Sequence, residues 1–169
     1  MNHFKLTLPV KPYIRKYLAV LYGDPIIINL NTDIGFAVLN ALASRMEFKI
    51  SKGNIDLFQN RFTDEIELRI PLHYISLTKK DVSSNTIVLL NRYLEYQFDR
   101  ELKIHLATSK VPYGTTVKKG IELFLSIYDI EIDVDITYEA ITKANWRHNK
   151  NLSEKFSRSL SEVKTKAVA

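Results

Sequence analysis

The chain holds 169 residues with 24 Lys+Arg against 19 Asp+Glu, a net charge of +5, no cysteine and 46% hydrophobic residues. One globular domain of ordinary size fits these numbers, and wholesale disorder, a disulfide framework, a thiolate zinc site and a cysteine nucleophile are excluded. No apolar run is long enough to span a membrane, and the opening Met1–Lys5 is not a signal peptide, so a cytoplasmic protein without a membrane partner is expected.

Phe4–Leu8 alternates apolar and polar residues and predicts a short strand stopped by Pro9. Pro12 suits the first turn of a helix running to about Leu21, with Gly23 at its stop. Ile14, Leu18 and Leu21 share one face of that helix, and Lys11, Arg15 and Lys16 fall away from it. Tyr13 and Tyr17 interleave with these bases, which reads either as a phosphate-gripping, base-stacking helix or as tyrosines covering the edge of a core. Ile26–Ile28 is a short apolar run, a buried strand or an extended connection. Asn31, Thr32 or Asp33 can cap a helix over 34–46 whose apolar content is nearly all-round, so burial is expected.

Phe48–Ile50 reads as a further short strand, followed by a turn at 51–54. Glu65–Leu72 is the cleanest strand, with Ile66, Leu68, Ile70 and Leu72 on one side and charged residues on the other. Pro71 puts it at a sheet edge or marks its end. Ser83 or Ser84 can start a long helix to about Leu106, carrying the stripe Ile87, Leu90, Leu94, Phe98 and Leu102. Pro112-Tyr113-Gly114 breaks the pattern. Thr115 or Thr116 can cap the next helix, whose stripe is Val117, Ile121, Phe124, Leu125 and Tyr128.

Asp129, Glu131, Asp133 and Asp135 alternate with apolar residues. If extended they could gather a hard cation, but Val134 and Ala140 stand where a calcium loop needs Gly and Glu, and a strand or turn with Asp135 capping the last helix is the preferred reading. That helix is predicted over Thr137–Lys150, with Ile136, Ala140, Ile141 and Ala144 inward. The expected fold is therefore α+β: a mainly helical single domain over 1–151, a small antiparallel sheet, a C-terminal helix-turn-helix-like pair, and a mobile basic tail over 152–169.

Charge is unevenly placed: residues 1–23 carry +4, residues 137–169 carry +4, and the stretch between carries −3. Basic ends around an acidic body suit contact with a polyanion, though lysine-rich ends also serve solubility alone. Lys143, Arg147 and Lys150, at i, i+4 and i+7, share a helix face. Asn145 and Arg147 are types that pair with base edges, and lysine reaches phosphate. Trp146 could stack on a base, although a lone tryptophan at a helix end more often anchors that helix on a core. The candidate nucleic-acid contacts are thus Lys143, Asn145, Trp146, Arg147 and Lys150, with Lys11, Arg15 and Lys16 as a second set. The four histidines lack metal-ligand spacing and the serines lack a nucleophile-elbow context, so no catalytic residue, metal or cofactor is expected.

The stretches Lys11-Pro12-Tyr13-Ile14-Arg15-Lys16-Tyr17-Leu18 with Tyr22-Gly23-Asp24-Pro25, and 124–130 with 137–147, resemble the opening and the end of small uncharacterised proteins of bacterial phages and mobile elements. The resemblance covers about a third of the chain and implies a mobile-element setting, where small basic proteins often act on DNA. The expected function is a non-enzymatic nucleic-acid-binding protein, a DNA-binding regulator or replication accessory, with DNA ahead of RNA. The competing reading is a phage structural or adaptor protein that works through protein–protein contacts and self-association.

Overall fold

A computed structural model describes residues 3–43, 61–75, 82–113 and 116–143. The fold is mainly helical with a small mixed sheet. Two compact units divide it, 1–131 and 132–169.

Within the first unit the order is β1 (His3–Val10), α1 (Pro12–Tyr22), β2 (Ile26–Ile27), α2 (Asp33–Ala43), β3 (Asp64–Pro71), a single turn α3 (Leu72–Ile75), the long α4 (Ser84–Tyr113) and α5 (Val117–Ile127). The sheet order is β1-β3-β2. β1 and β3 pair antiparallel from His3 opposite Pro71 to Val10 opposite Asp64, whereas β2 pairs parallel with β3. The expected all-antiparallel sheet is therefore corrected to a mixed one. Its third described strand is Ile26–Ile27, and the strand anticipated at Phe48–Ile50 lies outside the described residues. β3 is central rather than an edge, and Pro71 is tolerated because it closes the strand.

The alternation of β1 and β3 buries Leu8, Val10, Ile66, Leu68 and Ile70 on one face. α1 packs on β3, and α4 packs on β1, α1, α2 and α5. Ile14 and Leu18 are buried as expected, but Leu21 is 40% exposed and its place is taken by Tyr13 and Tyr17. Val88, Leu90, Leu94, Phe98 and Leu102 form the inward stripe of α4. α2 is less enclosed than its composition suggests, because Phe36 is 60% exposed.

Capping follows the sequence. Thr32 Oγ1 accepts from Gly35 N, Ser83 Oγ from Thr86 N, and Thr116 Oγ1 from Lys119 N. α4 continues to Tyr113 rather than stopping near Leu106, and Pro112 lies in its last turn. α5 ends with Asp129 in the left-handed region, at φ 54°, and Ile130 N–H reaching back to Leu125 O at 3.0 Å. That six-to-one bond, with Ile130 and Leu125 both buried, is a Schellman termination.

In the second unit Ile132 and Ile136 form an isolated bridge, and Asp133, at φ 66°, donates its N–H to Ile136 O. Residues 138–143 are helical. Thr137, rather than the expected Asp135, caps this helix by accepting from Ala140 N. Ile141 is buried while Ala140, expected to face inward, is exposed. Residues 144–150 and the predicted tail at 152–169 lie outside the described residues.

Candidate functional site

Lys11, at the N-cap of α1, and Arg15 within it are held by carboxylates. Lys11 Nζ lies 2.8 Å from Glu95 Oε1 on α4 and 5.8 Å from the centre of the Tyr13 ring. Arg15 spans two elements: Nη2 donates to Asp24 at 3.0 Å in the turn before β2, and Nη1 to Asp64 at 3.4 Å at the start of β3. The Asp24 bond and the Asp64 charge hold the guanidinium charged even more firmly than usual. Lys16 also has an interaction partner.

Tyr13 and Tyr17 are 8% and 2% exposed, which overturns their reading as a base-stacking surface. They are core residues: the Tyr13 ring packs on Phe98 at 4.9 Å, and Tyr17 on Phe98 and Tyr128 at 5.4 and 5.0 Å. Burial pushes both phenols far above the ordinary tyrosine range, with Glu95 and Asp99 adding to the shift at Tyr13 and Glu101 at Tyr17.

Of the C-terminal set, Lys143 is exposed on the helix over 138–143, with Glu139 one turn back at 3.9 Å. Asn145, Trp146, Arg147 and Lys150 lie outside the described residues. The alternating acids do not line one extended face, since the chain turns at Asp129 and again at Asp133. Among the described residues no three His, Asp or Glu side chains converge as metal ligands.

A grouping not anticipated from sequence surrounds Glu101. Its carboxylate accepts the Tyr128 hydroxyl at 3.0 Å and a bond from Tyr17. Burial, then the bond to Glu101, pushes the Tyr128 phenol up to about 12. Glu101 sits between two clefts of the first unit. The smaller, about 30 Å³, is bordered by Tyr17, Tyr22, Asp33, Tyr93 and Gln97. There Gln97 Nε2 donates to the Tyr93 hydroxyl at 2.8 Å. The larger is a groove of about 300 Å³ between α4 and α5, along which Glu101, His105 and Thr108 follow at i, i+4 and i+7. That spacing is the sequence signal that marks the grouping. No protein-family model matches the chain, and neither a curated protein nor a solved structure matches it.

Proposed function

We propose that the chain is a non-enzymatic nucleic-acid-binding protein, a DNA-binding regulator or replication accessory of a phage or mobile element. The observation that carries this reading is Lys143 standing exposed on a helix whose sequence continues with Asn145, Arg147 and Lys150. Lys143, Arg147 and Lys150 would contact phosphate, with Asn145 reaching base edges. The +4 charge of residues 137–169 supports the same stretch. α1 contributes less than its composition promised, because Lys11 and Arg15 are paired and Tyr13 and Tyr17 are buried.

A retardation assay on duplex DNA tests the reading. Three neutralised phosphates predict that affinity falls about 40-fold between about 0.05 and 0.2 M salt. Lys143→Ala combined with Arg147→Ala should weaken binding at every salt concentration. Absence of binding at the lower salt, or affinity unchanged by the double substitution, overturns the reading. A stable oligomer that retains no DNA would favour the assembly or adaptor role instead.

A further inference from the structure

The groove between α4 and α5 has the composition of a small-ligand site and a polarity that selects the ligand. Its walls are Ile104 and Ile127, 52% and 55% exposed, and Phe124 and Tyr128 supply buried aromatic surface. At about 300 Å³ it matches the lower end of ligand-binding clefts, enough for a single-ring molecule. The polar groups are unequal. Thr108 Oγ1 donates to the carbonyls of Ile104 and His105, so its proton is engaged within α4. His105 Nε2 has no hydrogen-bond partner, while its ring packs 5.5 Å from Phe124.

Glu101 is the one charged residue lining the groove among the described residues, and its neighbours there include no lysine or arginine. Its bonds from Tyr17 and Tyr128 are to neutral phenols, which bring no countercharge into the groove. A carboxylate has about four acceptor positions, so two phenols do not exhaust it. The Tyr128 and Phe124 rings, 5.1 Å apart and packed edge to face, lie next to it and give the groove an apolar floor.

From this arrangement we infer that the α4–α5 groove binds a small organic ammonium ion, its charged head at Glu101 and its apolar body on the exposed Ile104 and Ile127. A neutral ligand would leave the carboxylate uncompensated, and an anion would meet it as a like charge. The groove's lining falls entirely within residues 101–128, and the site stands independently of nucleic-acid binding.

The test is titration of the full chain, free of DNA, with 2-phenylethylammonium, 2-phenylethanol and phenylacetate, followed by the NMR signals of His105, Phe124 and Tyr128. The ammonium ion should bind about tenfold more tightly than the isosteric alcohol, and phenylacetate more weakly than either. Glu101→Gln should abolish the preference. Because that change also disturbs two phenol hydrogen bonds, Ile127→Lys is the second variant: it sets a like charge on an exposed wall, and should weaken ammonium binding about tenfold at unchanged Tm. Equal affinity for ammonium ion and alcohol, no saturable shift at these three residues, or ammonium binding indifferent to Ile127→Lys would overturn the proposal.

Discussion

Gly35 shows how one missing side chain sets the entry to a helix. A Cβ at this position would collide with the carbonyl of Asn29, which is backbone, and come within 2.8 Å of Thr32 Oγ1. Thr32 is itself fixed, since its hydroxyl donates to Asn29 O and accepts from Gly35 N. Gly35→Ala should therefore lower the unfolding free energy by about 3 kcal/mol in urea titrations. Gly120 makes a control. Its added Cβ would meet only the tip of Leu106, a group that can rotate away, and alanine is the better helix former. Gly120→Ala should stay within about 1 kcal/mol of the native chain. The tyrosines give a second residue-scale expectation, in the alkaline range. Tyr13, Tyr17, Tyr22 and Tyr128 all have folded-state pKa values raised by burial first, with nearby carboxylates adding to it. A raised folded pKa contributes stability that is complete below the unfolded value near 10. For Tyr128 it is lost as pH climbs to about 12. Urea midpoints should accordingly hold steady up to about pH 9 and fall beyond about pH 10, and Tyr128→Phe should flatten that fall.

At the scale of elements, α1 is where charge and packing were most easily confused. Its sequence places bases between tyrosines, a pattern shared by nucleic-acid-gripping helices and by helices whose aromatic rings fill a core. The structure settles the rings as core, and gives Arg15 to Asp24 and Asp64, joining the helix to the β2 turn and to β3. With its side chain 44% exposed, that double pair is a modest tie: Arg15→Met should cost about 1 kcal/mol of stability in thermal unfolding. β1, β3, α4 and α5 were legible because each buries one face, and a buried face imprints a period of two or of three to four. The parallel strand Ile26–Ile27 was not legible as such, since two residues carry no period. Nor did periodicity disclose Phe36, an apolar residue left 60% exposed. The Glu101 grouping escaped for a different reason. The spacing of Glu101, His105 and Thr108 puts them on one face. A carboxylate on a long helix ordinarily faces water, however, and that spacing does not disclose the approach of Tyr17 from α1 and Tyr128 after α5.

Over the whole molecule the decisive quantity is where positive charge is available. The two basic ends each carry +4, but the first is partly compensated: Lys11 by Glu95, and Arg15 by Asp24 and Asp64. A phosphate binding there would have to displace a carboxylate before releasing any counterion, so α1 adds little to the salt dependence of binding. Among the described residues Lys143 pairs with Glu139, at 3.9 Å and with both side chains largely exposed, an arrangement that competes weakly with phosphate. The two ends should consequently separate in a single measurement, the slope of log affinity for duplex DNA against log salt. Lys11→Gln with Arg15→Gln should leave that slope unchanged within about 0.3, whereas Arg147→Gln with Lys150→Gln should reduce its magnitude by about 1.8, close to 0.9 for each phosphate that is no longer neutralised. Equal reductions from the two pairs would mean that the α1 ion pairs open on binding and that both ends grip the backbone. A slope altered by the α1 pair alone would move the interface to α1 and remove the C-terminal helix from it.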